Sequence, residues 1–177
     1  PAMSTFLVEC DAATWQAYGF EHKTIEQSQA VCEQVFAATL DGHALVSNKS
    51  VWRNFPWIWN ENWSHGNMVL IGDALHSAHF SIGSGTRLAI EDAIALTKAL
   101  EAESEIPAAL ARYQAERKPI VQKLVTAART SADWYEHFPE HMKLDLMDFA
   151  YSYITRSGRI DDARLRAMSP AFMARYE

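Results

Sequence analysis

One stretch constrains this chain more than any other. The apolar run Met68-Val69-Leu70-Ile71 ends in Gly72-Asp73, a polar loop follows, and Gly83-Ser84-Gly85 then opens a long helical pattern. A short, continuously apolar run suits a strand buried on both faces of a parallel sheet. The residues after the glycines predict a helix over about 86–102. The order strand, loop, helix is that of an α/β unit, and ligands of open α/β sheets bind at the carboxyl ends of their strands. There Asp73 offers a carboxylate that can accept hydrogen bonds from sugar or polyol hydroxyls. Gly83 and Gly85 let backbone approach a ligand closely. Free N–H groups at Gly85, Thr86 and Arg87 carry the positive end of the helix dipole and favour a ligand atom that is, or becomes, negative. Spacing alone does not separate this from a plain helix start after a common Gly-Asp turn.

The rest of the chain surrounds that unit with strand-like and then helical segments. Residues 4–10 read as a strand, and Asp11 to Thr14 as the cap of a short helix closed by Gly19. Thr24-Ile25-Glu26-Gln27 has the form of a capping box and opens a helix ended by Asp41-Gly42. Residues 45–63 are aromatic and β-like, interrupted by Pro56. Beyond residue 102, helical spacing returns after Pro107, with a kink expected at Pro119, and again over residues 144–154 and 161–168. The end beyond Ser169-Pro170 reads as loose.

With 177 residues, 49% of them hydrophobic, the chain can bury a core, and its 21% of charged residues argue against disorder. A net charge of -6 without a basic run makes nucleic acid and anionic membrane poor partners. The two cysteines, Cys10 and Cys32, have no CxxC spacing and suit reduced thiols in a cytoplasmic protein. No apolar run approaches membrane-spanning length.

The segment Val69-Leu70-Ile71-Gly72-Asp73-Ala74-Leu75-His76, with Gly83-Ser84-Gly85-Thr86-Arg87-Leu88-Ala89 and Glu91-Asp92-Ala93, resembles the second FAD motif of the flavoprotein aromatic hydroxylases, the 4-hydroxybenzoate hydroxylase-like group. Their pattern is a strand, GDAAH, a loop that usually holds proline, then GxGxN and a helix containing DA. The resemblance implies that Gly72 and Asp73 lie at the ribityl chain. It implies that Gly83, Ser84, Gly85, Thr86 and Arg87 lie at the isoalloxazine and its pyrimidine edge. Two departures stand out: Phe80 occupies the usual proline position and Arg87 the usual asparagine. A backbone amide at Arg87 can still serve; a side-chain role for asparagine does not carry over.

Those departures, with residues 77–89, the opening residues 3–9 and the stretches 149–152 and 156–160, are similar to the salicylyl-CoA 5-hydroxylase and 2-aminobenzoyl-CoA monooxygenase subgroup. The implied fold is α/β: part of an FAD-binding Rossmann-like domain and of a substrate-domain sheet, then a helical C-terminal region. The implied division is 1–63 for the end of the substrate domain, 64–102 for the second FAD motif and 103–177 for the helical region. The implied activity is NADH- or NADPH-dependent oxygenation of an aromatic ring, on an aryl-CoA thioester, with O2 as oxidant. His79 and Phe80 then fall on the substrate side. The GxGxxG fingerprint expected in the first half of such a protein is absent, so this reading makes the chain a fragment that retains FAD poorly and self-associates through faces meant for the missing half.

Other features carry plainer readings. His76 and His79 have HxxH spacing on a loop without a third ligand at a metal offset, so no metal is assigned. His137 and His141 flank Pro139 and read as surface residues. Trp52, Trp57, Trp59 and Trp63 could wall an aromatic pocket but suit core packing better. Ser77, Ser81 and Ser84 lack a GxSxG elbow. Glu103, Glu105, Lys118 and Arg129 read as solvated helix faces. No catalytic acid or base is assigned. The alternative is a non-enzymatic α/β ligand-binding or protein-interaction module built on the same Gly-rich loop.

Overall fold

The computed structural model describes residues 3–177, so the Pro1-Ala2 part of the opening lies outside the described residues. The chain divides after Asn54 into two units.

The first unit is helical. Asp11 caps α1 (Ala12–Ala17) by accepting from the Thr14 amide, and Gly19 follows in the left-handed region. The capping box at Thr24 forms as its spacing predicts: the hydroxyl accepts from the Gln27 amide at 3.2 Å and the Gln27 side chain accepts from the Thr24 amide at 2.9 Å. It starts α2 (Ile25–Val35), which breaks at Phe36 before α3 (Ala37–Leu40). Phe20 and Cys32 are buried, and Phe20 packs on Trp52 with ring centroids 4.5 Å apart. Residues 4–10 do not form a strand. A strand exists only within a ladder, and among the described residues the one named ladder lies in the other unit.

The second unit is built around two long helices, α4 (Gly85–Ala102) and α5 (Ile106–Glu136), joined by residues 103–105. On α4, Leu88, Asp92 and Ala99 are buried, with Ala95 and Leu96 half-buried between them; this spacing makes one helix face. That face packs with Tyr113, Val121 and Val125 of α5, and Trp63 and Leu75 complete the core. Burying a side chain such as Leu88 contributes roughly 1.5–3 kcal/mol. The opposite face of α4 leaves Ile90 and Ile94 exposed. Helix α5 continues through Pro119, the position at which a kink was expected. Val121 and Val125, buried just beyond the proline, fasten the second half of the helix to the same core.

The parallel-sheet expectation does not hold within this chain. Met68–Val69 (β2) pairs antiparallel with Ser64–His65 (β1) across the Gly66-Asn67 turn, and Leu70 donates to the Trp63 carbonyl at 2.9 Å. Leu70 and Ile71 are exposed, so the apolar run is not covered on both faces by these residues. Residues 45–63 contribute one isolated antiparallel bridge, Trp59 to His76, in place of a regular strand. Towards the end come α6 (Phe138–His141), α7 (Leu146–Thr155) and α8 (Asp162–Met168), the last two capped by Asp145 and Asp161. The expected loose end is a helix, α9 (Pro170–Tyr176), started by Pro170 in its first turn, with Met173 buried.

Candidate functional site

The site is the loop between β2 and α4, and its first end is fixed by a glycine. Gly72 adopts φ +59°, and a Cβ there would lie 3.1 Å from the Cβ of Ala89 on α4. Only glycine meets both conditions. The Gly72 amide donates to Asp92 Oδ2 at 3.1 Å, and the next residue, Asp73, presents an exposed carboxylate. No cation pairs with Asp73 among the described residues.

Asp92 is the hub of the site. It is fully buried, accepts from Arg117 Nε at 2.9 Å on one oxygen and meets His76 Nε2 at 2.8 Å on the other. Burial works against its charge, but the hydrogen bonds with His76 and Arg117 outweigh that cost and hold the carboxyl below the usual carboxylate range. An ionised carboxylate only accepts, so His76 Nε2 carries the proton that is shared. Arg117, also buried, donates to the Leu88 carbonyl at 3.3 Å and pairs with Glu91 at 2.9 Å; Glu91 in turn meets Arg87 at 3.4 Å. Charges of alternating sign therefore run from Arg87, in the first turn of α4, to His76 and the Gly72 amide at the end of β2.

The middle of the loop is pinned by residues 56–60. Asn60 Nδ2 donates to the Ala74 and Leu75 carbonyls, and Ser77 Oγ accepts from the Ile58 amide at 2.8 Å while donating to the Pro56 carbonyl at 2.7 Å. The Ser84 hydroxyl donates to Ile82 O. The hydroxyls of Ser77 and Ser84 are thus committed to backbone. Beyond His76, an aromatic group forms: His79 is buried, Phe80 stacks on it at 4.4 Å, Trp57 at 6.2 Å, and Phe55 meets both rings edge-on. Phe55, Trp57 and Phe80 remain exposed on their outer sides, and the Arg129 guanidinium lies 5.3 Å from the Trp57 ring. Arg156 reaches back from the end of α7 to hold the Ser81 carbonyl at 3.3 Å and Ser131 Oγ at 3.1 Å.

The second end of the loop is the start of α4. Gly83 sits at φ +59°, and neither Gly83 nor Gly85 has an atom within 4 Å of where a Cβ would stand. Ser84 makes no side-chain cap, so the first-turn amides of Gly85, Thr86 and Arg87 keep donors that the helix cannot satisfy. An open glycine cradle beside uncapped amides, with an unpaired carboxylate at Asp73, fits a ligand that brings hydroxyls to one end and developing negative charge to the other. A flavin with its ribityl chain is such a ligand.

The structure thus gathers Gly83, Ser84, Gly85, Thr86 and Arg87 in one turn, with Phe80 leading into it, and ties Gly72 and Asp73 to the same helix through Asp92. The HxxH histidines separate in role, His76 against Asp92 and His79 in the aromatic stack. Among the described residues no cluster of three His, Cys, Asp or Glu side chains could hold a metal. Of the four tryptophans between residues 52 and 63, Trp63 is core, Trp59 borders it, Trp52 packs in the first unit, and Trp57 stands half in solvent beside His79. Lys118 and Arg129 are not idle surface charges: Lys118 pairs with Glu61 at 2.8 Å, and Arg129 covers Trp57. His141 stacks on Trp134 at 4.4 Å. Sequence reasoning gave Asp92 no role and missed Arg117. The available signal was position, because Asp92 shares the apolar stripe of Leu88, Ala95 and Ala99, and a carboxylate on a buried stripe requires partners.

Comparison with known proteins gives the setting. Residues 7–128 match the family described as an FAD binding domain. The chain is 38% identical to a salicyloyl-CoA 5-hydroxylase of a Streptomyces species, over 99% of this chain and 36% of that protein. It is 43% identical to the 3-hydroxy-4-methyl-anthranilyl-(aryl-carrier protein) 5-monooxygenase of Streptosporangium sibiricum, over 90% of this chain and 41% of the relative. It is 39% identical to the protodeoxyviolaceinate monooxygenase of Chromobacterium violaceum, over 95% of this chain and 43% of the relative. The chain therefore spans about two fifths of the length of these curated relatives.

Proposed function

Since the chain belongs to the FAD binding domain family, we propose that it carries the second flavin-binding segment of a monooxygenase that hydroxylates an aromatic substrate, an aryl thioester such as an aryl-CoA, using NADH or NADPH and O2. The observation that carries this reading is the pairing of two features at one loop: the uncapped, glycine-cradled start of α4 and the unpaired Asp73 carboxylate. Two of the relatives are named for thioester-borne aromatic acids, one on CoA and one on a carrier protein.

When bound, FAD would supply the redox chemistry that couples a reduced nicotinamide to O2. The chain's own residues position and polarise. Asp73 accepts from ribityl hydroxyls. The amides of Gly85, Thr86 and Arg87 stabilise the negative charge that reduction places on the pyrimidine edge. Gly83 and Gly85 let the ring plane approach the backbone. The Arg87 side chain pairs with Glu91, so its amide is the group offered to the ligand. His79, Phe80, Phe55 and Trp57 form the wall on the substrate side, where exposed aromatic faces suit an aromatic ring and exclude water.

In this reading residues 1–63 end the substrate domain, 64–102 form the FAD motif and 103–177 the helical region that braces it. The exposed Ile90 and Ile94 of α4 with Leu70 and Ile71 supply an apolar surface for the GxGxxG-bearing half of the flavin domain. Where uncovered, that surface drives self-association. The test is NAD(P)H consumption by the protein expressed from its full gene, with aryl-CoA thioesters against the free acids. Stimulation and ring hydroxylation with a thioester support the reading. Reductant consumption unaffected by any aryl compound, with no oxygenated product, contradicts it.

A further inference from the structure

The buried charges around Asp92 have no partner in the chemistry proposed above, yet they are costly to maintain. A buried ion pair is often no more stabilising than apolar residues of the same volume. This one is anchored on two backbone groups that flank the loop: the Gly72 amide at 3.1 Å, next to Asp73, and the Leu88 carbonyl at 3.3 Å from Arg117, at the first turn of α4. We propose that Asp92, held by His76 and Arg117, is a positioning residue for the flavin site, fixing the Gly72 amide and through it the Asp73 carboxylate relative to the start of α4. The inference rests on the flavin reading above and adds to it a group that touches no ligand.

The physical argument is one of sequence adjacency and burial. Asp73 is exposed and unpaired among the described residues, so nothing at its own side chain fixes its direction. What fixes it is the backbone immediately before it. Gly72 is wedged against Ala89, bonded to Asp92 and barred by its positive φ from taking a side chain. His76 serves the same carboxylate oxygen from the other side of the turn, so the turn 72–76 closes around Asp92. Loss of the clamp frees the carboxylate that serves the ribityl chain. It leaves untouched any contact to the adenosine and diphosphate end of the dinucleotide.

The test uses the protein expressed from its full gene, stripped of flavin and titrated separately with FAD and with ADP, which lacks the ribityl chain and ring. The variants are Asp92→Asn, His76→Phe, which removes the donor to Asp92, and His76→Gln, which restores one. The expected result for Asp92→Asn and His76→Phe is FAD affinity weakened by roughly tenfold or more, with ADP affinity unchanged. His76→Gln is expected to stay within about twofold of wild type for both ligands. If Asp92→Asn does not fold, the His76 pair carries the comparison. Equal losses for FAD and ADP, or no loss for FAD in His76→Phe, overturn the positioning role. Wild-type protein that binds no FAD overturns the flavin reading and this inference with it, an outcome distinct from variants that behave like a flavin-binding wild type.

Discussion

The Asp92 carboxylate and the Gly72 amide stand 20 residues apart in sequence and 3.1 Å apart in space, in a fully buried contact. Through it the middle of α4 holds the turn that follows the β1–β2 hairpin, and the proposed flavin site makes that hold a requirement for ligand binding.

Breaking this hub destabilises the second unit. Asp92→Ala takes from Arg117 its fully buried partner and leaves it only the half-buried Glu91, so it is expected to cost about 3 kcal/mol in urea unfolding, the low end for a broken buried pair. The pH dependence follows from the direction of the shift. The folded carboxyl titrates below its ordinary value of 3.8, so its contribution is whole above that value and drains as pH falls through it towards the folded pKa. Wild type therefore loses stability on that acid limb, and Asp92→Asn loses correspondingly less. Equal acid limbs in the two proteins contradict the assignment.

Gly72→Ala and Gly85→Ala separate fold from ligand. At Gly72 the positive φ and the Ala89 contact at 3.1 Å make alanine destabilising by about 1–3 kcal/mol. At Gly85, within α4 and facing open space, alanine is expected to stabilise by up to about 1 kcal/mol. The same Gly85→Ala change fills the cradle, so flavin affinity falls while thermal stability rises. Affinity and stability moving together at Gly85 would count against a ligand at that turn.

In the first unit the capping box at Thr24 makes a local prediction. Thr24→Ala removes the acceptor of the Gln27 amide and is expected to cost about 1 kcal/mol. Thr24→Ser restores the cap, and thermal unfolding of the two variants compares them directly.

The two thiols should differ in reactivity. Cys32 is buried on α2, and that burial, followed by the nearby Glu33, raises its thiol pKa, whereas Cys10 is half-exposed. Mass spectrometry after brief iodoacetamide treatment near neutral pH is expected to find Cys10 modified well before Cys32. The reverse order contradicts the packing of α2.

How legible these features were depended on the range of the forces behind them. Caps at Asp11 and Thr24 follow from side chains that bond within three residues, and the sequence spacing located them; the start of α4 was marked by its glycines, with no side-chain cap. The strand expected at residues 4–10 did not form, and the one at 68–71 shortened to Met68–Val69 in an antiparallel pair, because a strand depends on a neighbour that no local pattern names; among the described residues Met68–Val69 pairs with Ser64–His65 alone. The exposed Leu70 and Ile71 show why the apolar run looked like a buried strand without being one in this chain. At the site, the Gly-Asp turn and the glycine spacing, read through the resemblance to the second FAD motif, marked the residues proposed to face the ligand. The brace behind them was hidden, because Arg117 reaches Asp92 from another helix, 25 residues away. The final helix was missed because Ser169-Pro170 reads equally as a terminator and as a helix start.

The central claim is that Asp73 and residues 83–87 hold a flavin, and its most direct test is flavin content. The protein expressed from its full gene is purified, its absorption spectrum recorded, and the cofactor released by denaturation and identified by mass. The account predicts a yellow protein that releases FAD at about one per polypeptide, with Asp73→Ala lowering that occupancy. A colourless protein that takes up no FAD on titration would contradict it.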